Sequence, residues 1–378
     1  MSTSPSARDS ALSYISNSRF HRRFTLPATT DHGPLTISYA DLGADPDLNP
    51  PTILFMPGMF ASRYLGAFFH TIAKNYGVRV LVVDRFGMGS TTDVPLQQRV
   101  PIWVELVPRL LAHLHVAHVA LMSHCAGTVY LLNTLIQCRE ILDPQKPFVA
   151  LLAPWVDPSH SHITSMQLAQ YIPSKAFSVW HLIPKFLILK AGPVFASSGV
   201  AMNKASNTVA SSVSIDGGSS SELESNRRRI EERHGLSRDV QAELETLVMN
   251  FMFEENTVGA NSEALQCLRK GPAGIELWGK CADYQDYVRE LVGLERRQCA
   301  NTAGRDKLKI RTFFAESDAM IGKAGQKYVE NCWHGREGEF DNVLDFETKT
   351  VAGTDHDQLV LSLGVLESAF SDAGGNFM

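Results

Sequence analysis

Apolar and polar positions along the chain follow two alternating rhythms. Short continuous apolar runs occur at 52–56, 79–83, 118–122 and 148–153, as expected of strands buried on both faces. Between them, apolar residues recur at helical spacing over 62–76, over 100–115 (Val104, Val107, Leu111, Leu114) and over 128–138. Upstream, two strand-like runs at 20–26 and 35–42 are separated by Pro27, Asp31, Gly33 and Pro34, which reads as an antiparallel hairpin at a sheet edge. The alternation predicts an α/β architecture, a doubly wound and mostly parallel sheet that binds ligands at the C-terminal ends of its strands.

The rhythm breaks after Trp155. From there to about 303 the pattern is helical and irregular, without a convincing buried strand, and predicts an inserted, mainly helical lid or cap over 156–303. The stretch 175–201 is apolar and aromatic, but Pro184, Lys185, Lys190 and Pro193 interrupt it, so it is a poor transmembrane span. It reads as an apolar lid face or a surface resting on a membrane. Ser, Asn and Gly dominate 203–225, predicting a mobile loop, and 222–253 reads as one long charged helix or two shorter ones. The alternation resumes with a strand at 308–315, a helix at 323–333, a strand at 344–351 and a last helix at 358–369. The expected organisation is an N-terminal arm at 1–19, loose or briefly helical, a core in two parts at 20–155 and 304–378, and the insertion between them.

Candidate chemistry collects where strands end. Ser123-His124-Cys125-Ala126-Gly127 joins the fifth strand-like run to a helix through a small-x-nucleophile-x-small turn, the form of a nucleophile elbow with Cys in place of Ser. Such a turn places Cys125 exposed at its tip and near a helix N-terminus, where free N–H groups favour a thiolate. Taken alone, the motif also describes a buried structural Cys. The last two strands end in Glu316-Ser317-Asp318 and in Asp355-His356-Asp357, and parallel strands bring those ends to one rim. In that arrangement His356 takes the thiol proton and Asp318 orients the imidazole. Glu316, Asp355 and Asp357 are alternatives for the acid, the last two disfavoured because they directly flank His356.

These separated motifs resemble the α/β-hydrolase fold family over about 35–155 and 305–370, with the intervening stretch in the position of that family's variable lid. Met56-Pro57-Gly58-Met59 resembles its His-Gly-type oxyanion loop with Pro57 in place of His, and Asp84-Arg85-Phe86-Gly87-Met88-Gly89-Ser90 its next glycine-rich loop. The resemblance implies a Cys125-His356-Asp318 triad and an oxyanion hole made by the backbone N–H groups of Met59 and Ala126. Substrate contacts are expected from His124, Trp155 and Phe60, with His160 and His162 nearby. The implied activity is acyl transfer, of hydrolase or thioesterase type, on an apolar ester or thioester. Because sulfur changes the attack distance, a cyclase, condensing or lyase-type enzyme of specialised metabolism using His356 as general base stays open, as does a hydrolase-fold binding protein.

Composition narrows the partners. The net charge of -5 and the single short basic run Arg227-Arg228-Arg229 offer no footprint for nucleic acid. Six Cys without a CxxC pair or Cys/His ligand spacing suggest neither zinc nor a disulfide framework, so no metal or cofactor is expected and the thiols read as free in a reducing compartment. The Ser-rich start lacks a basic and then apolar leader, and a cytoplasmic location is expected. The expected partner is a small-molecule apolar acyl or polyketide-like substrate.

Overall fold

The computed structural model describes residues 5–183, 217–271, 274–301 and 304–377. Eight strands form one sheet in the order β1-β2-β4-β3-β5-β6-β7-β8: β1 Arg22–Leu26, β2 Leu35–Gly43, β3 Thr52–Met56, β4 Arg79–Val83, β5 Ala120–His124, β6 Phe148–Leu152, β7 Leu308–Ser317 and β8 Leu344–Asp355. From β4 to β8 every pairing is parallel, while β1 and β2 run antiparallel at one edge. All five residues of β3, of β4 and of β6 are buried, which explains why these strands appear in the sequence as unbroken apolar runs. The edge strand β1 instead exposes Arg22 and Arg23, charges that discourage edge-to-edge pairing. The helix Arg99–His113 packs on Gly127–Gln137, while His70–Asn75 packs on the C-terminal helix Leu363–Asp372.

Two local differences from the sequence pattern bear on the site. The fifth strand begins and ends two residues later than the apolar run suggests, because Ser123 and His124 pair with Leu151 and Leu152 of β6. The last strand continues past Val351 to Asp355: after Ala315↔Val351 the register shifts, and the next partners are Ser317↔Asp355. An irregularity of this kind re-aims a strand end. It sets the following residues, Asp318 and His356, beside each other.

Between β6 and β7 the described residues contain helices and no strand. The first turns of the helix Gly217–His234 occupy part of the stretch expected to be a loop; the rest of that loop, 203–216, lies outside the described residues, as does 184–201 of the apolar stretch. The expected charged helix over 222–253 is two, Gly217–His234 and Arg238–Glu254, broken where Gly235 turns with φ 73°, a conformation glycine adopts without a Cβ penalty. The N-terminus is helical over Ala7–Ile15, started by a capping box between Ser6 and Asp9, and packs on Arg238–Glu254.

Candidate active site

β5 lies between β3 and β6, and its C-terminal end carries the elbow. Cys125 has φ 49°, a left-handed conformation that costs a non-glycine residue about 1–2 kcal/mol and persists only where the surroundings enforce it. The enforcing contacts are local. The Cys125 N–H donates to the Leu152 carbonyl at 3.1 Å, and the Cys125 carbonyl accepts from the Thr128 N–H at 3.0 Å. A Cβ at Gly127 would stand 2.0 Å from the Met56 carbonyl oxygen, so only glycine lets the helix begin so close to β3. Ser123, in the other small position, is fully buried with its hydroxyl unpartnered. Cys125 itself is buried, not exposed as the turn alone suggested. Trp155 ties the elbow to the insertion: its N–H approaches the Cys125 carbonyl, and its indole N–H donates to the Cys267 carbonyl at 3.1 Å.

Asp318 and His356 meet as the register implies. His356 Nδ1 lies 2.8 Å from Asp318 Oδ2, while Asp318 Oδ1 accepts from the Met320 and Ile321 N–H groups, each at 2.8 Å. Two of the other candidate acids are used elsewhere: Glu316 accepts from the Gly353 N–H, and Asp355 accepts from the Asp357 and Gln358 N–H groups. At His356 Nε2, which is buried, no partner meets the distance and angle of a hydrogen bond, yet Cys125 is close enough to act on this ring. A Cβ at Gly58 would meet His124 Nδ1 at 2.8 Å and Cys125 Cβ at 3.3 Å, so the loop after β3 lies directly against the elbow. The Met59 and Ala126 N–H groups, both facing no acceptor among the described residues, belong to these two turns.

No family model matches the sequence, and no curated protein matches it. Solved structures do match. A laboratory-evolved potato epoxide hydrolase aligns over 93% of this chain and 98% of its own with TM-score 0.54 and 15% identity. An alpha/beta hydrolase from a Medee basin deep-sea metagenome library aligns over 94% and 98% with TM-score 0.52 and 12% identity. The thioesterase domain from the curacin biosynthetic pathway aligns over 93% and 99% with TM-score 0.51 and 10% identity. The chain has the α/β-hydrolase fold. At such identities the likeness is one of fold, and this chain's chemistry must be argued from its own residues.

Within this α/β-hydrolase fold, the electrostatics of the site are set by burial and two close charges. Burial disfavours a charged His356, but the Asp318 carboxylate, by charge and hydrogen bonding, and the nearby Cys125 outweigh it and hold its pKa well above the ordinary histidine value. Asp318 is likewise penalised by burial, yet His356 and the two backbone N–H groups bring its pKa below the ordinary aspartate value. His124 behaves oppositely. Burial, followed by the neighbouring His356 charge, lowers its pKa to about 3, so it is neutral near pH 7. Its Nε2–H donates to the His356 carbonyl at 2.9 Å, tying the histidine loop to the elbow.

Of the expected substrate contacts, His124 and Phe60 line an apolar cavity of about 70 Å³ together with Met59, Leu65, Phe68, Met249, Met252 and Phe253. Asp357, beside His356, completes its rim. Trp155 is not among the lining residues and instead anchors the insertion. His160 stacks on Tyr328 at 3.7 Å and, like His162, lies outside the cavity lining.

The sequence reading missed an ion cluster behind the loop after β3. Arg85, fully buried, donates to the Pro57 carbonyl and, at 2.7 Å, to the Gly58 carbonyl, and pairs with Glu263 from the insertion. Arg99 reaches the same carboxylate at 3.3 Å. A second cluster joins Arg63 to Asp84 at 2.6 Å and to Glu255 at 2.7 Å. Glu255 and Glu263 thus pin the insertion to arginines of the sheet domain. The only hint in the sequence was Arg85 within a glycine-rich loop; its carboxylate partner is 178 positions away.

Proposed function

We propose that the protein is an acyl-transfer enzyme in which Cys125 attacks an apolar ester or thioester. The observation that carries this reading is the left-handed Cys125 at a strand-to-helix elbow, beside a buried His356 bonded to Asp318 at 2.8 Å. A nucleophile, a base and an orienting acid in this relation define the chemistry irrespective of chain position. The raised pKa of His356 favours the imidazolium form of the ring beside Cys125. The Cys125 sulfur attacks the carbonyl carbon, and the oxygen that gains the electron pair is stabilised by the Met59 and Ala126 N–H groups. Collapse expels the alkoxide or thiolate leaving group, which takes the proton from His356 Nε2. Water, deprotonated by the now neutral His356, then adds to the acyl-Cys125 thioester; collapse breaks the carbon–sulfur bond, releases the acid and leaves the Cys125 sulfur beside the imidazolium formed when His356 took the water proton. Asp318 holds the ring and its charge throughout. His124, neutral and bound to the His356 carbonyl, keeps the loop in place.

A second reading has one observation in its favour. The cavity beside the triad is small and lined almost wholly by apolar side chains, a poor site for a hydrolytic water, which suits chemistry in which His356 serves as general base on a bound substrate. Intact-mass measurement after exposure to acyl esters and thioesters separates the two. An acyl adduct present in the wild type and absent in Cys125→Ala supports covalent transfer; turnover that survives Cys125→Ala and is lost in His356→Ala overturns it in favour of general-base chemistry.

A further inference from the structure

The segment following β6 is apolar on two sides, and packing accounts for only one of them. On the inner side Met166, Ala169 and Phe177 are buried; Ala169 and Phe177 cluster with Ala264 and Leu268, and Met59 packs against that cluster. The outer side is bare. Leu168 is 61% and Tyr171 83% exposed, with Ile172 adjoining; eleven residues on from Leu168, Val179, Leu182 and Ile183 repeat the same i, i+3, i+4 spacing and are also exposed. Leu168 lies in the helix Thr164–Ala169 with Tyr171 and Ile172 in the turn after it, and Val179 ends the short helical turn Ser174–Val179 with Leu182 and Ile183 following. Among the described residues, the only other exposed large apolar side chains are Leu48 and Phe377. A patch of this kind marks an interaction surface.

The charge pattern indicates what covers it. Between Asp157 and Asp216 the sequence contains no acidic residue but includes Lys175, Lys185, Lys190 and Lys204, in a chain whose net charge is -5. Lys175 is exposed within the patch, and the Lys270 ammonium donates to the Gln170 carbonyl at its border. Exposed apolar side chains in a stretch of sequence that carries lysines and no acid suit the interface of a bilayer carrying anionic lipid. None of the described helices is long and apolar enough to cross a membrane, so the contact is with the surface.

We infer that the outer face of residues 168–183 docks on an anionic lipid bilayer and that the apolar substrate enters the site from that surface. The second clause rests on the acyl-transfer reading; the first does not. The same short segment carries the exposed face outside and contacts Met59 inside, giving an apolar molecule a brief path from lipid to cavity. The test is flotation of the full chain with phosphatidylcholine vesicles, with and without phosphatidylglycerol. Wild type and Cys125→Ala should float equally with the anionic vesicles, less so with neutral ones and less at high salt. The triple variant Leu168→Asp, Tyr171→Asp, Leu182→Asp should lower the partition coefficient by about tenfold or more with an unchanged melting temperature, since all three side chains are exposed. Absence of flotation, or equal flotation of the triple variant, would overturn the inference. A concentration-dependent dimer that the triple variant abolishes would overturn it too, assigning the face to a second copy. If flotation behaves as expected but no Cys125-dependent acylation occurs, the docking surface stands and the substrate clause falls.

Discussion

Glu263→Gln tests how the insertion governs the chemistry. In the wild type the Glu263 carboxylate, fully buried, neutralises Arg85 and Arg99, whose side chains are also fully buried. Arg99 has a second partner in Asp93 at 3.0 Å, so loss of the Glu263 charge leaves it paired. Arg85 retains the Pro57 and Gly58 carbonyls and the Tyr130 ring 5.6 Å away, none of them a full countercharge, and becomes an uncompensated buried cation. Removing one partner of a buried pair costs about 3–5 kcal/mol, so the denaturant midpoint should fall by that equivalent. By contrast, Glu224→Gln, which breaks an ion pair of exposed side chains with Arg238, should leave the midpoint unchanged. The kinetic effect follows from geometry: Arg85 holds the carbonyls that precede the Met59 N–H, and losing one oxyanion donor slows acyl transfer by about 10²–10³-fold. Equilibrium unfolding in urea and single-turnover acylation measure the two effects separately. A Glu263→Gln protein of wild-type stability would refute the electrostatic argument; one that is destabilised but acylates at the wild-type rate would refute the link from Arg85 to the oxyanion loop.

Four further outcomes are expected. His124, with its pKa lowered to about 3 in the fold against an ordinary value near 6.5, binds fewer protons folded than unfolded between those pH values, so its contribution to stability is lost as pH falls through that window; His124→Asn should flatten the acid limb of the urea midpoint plotted against pH. His356 has the opposite sign, its raised pKa giving stability that is full below about pH 6.5 and lost as pH rises through the folded value, so Asp318→Asn should cost most below neutrality and little at alkaline pH, read from the same midpoints. Because Cys125 sits at φ 49°, Cys125→Gly should exceed Cys125→Ala in stability by about 1 kcal/mol, whereas equal stabilities would mean the elbow relaxes once the thiol is gone. Iodoacetamide mapping of the native protein should label exposed Cys299 and Cys125, and His356→Ala should slow labelling at Cys125 while leaving Cys299 unchanged; equal rates at Cys125 in both proteins would sink the thiolate–imidazolium pair.

What the sequence determined by itself is the part written in local pattern. Strands β3, β4 and β6 are legible because a strand buried on both faces must be apolar throughout. The elbow is legible because Gly127 is required by a backbone contact only 2.0 Å from where its Cβ would be. Cys125, Asp318 and His356 could be named because each follows a strand of one parallel sheet, and such strand ends share a rim. The tertiary structure decided what depends on partners far apart in the chain. That Asp318, the acid the sequence favours, and not Glu316 meets His356 follows a register shift between β7 and β8. Trp155 links the Cys125 carbonyl to the Cys267 carbonyl of the insertion, and Arg85 meets Glu263 of the insertion 178 positions away. Apolar spacing records which face of an element is hidden, but not which distant side chain hides it; that pairing exists only once the chain has packed.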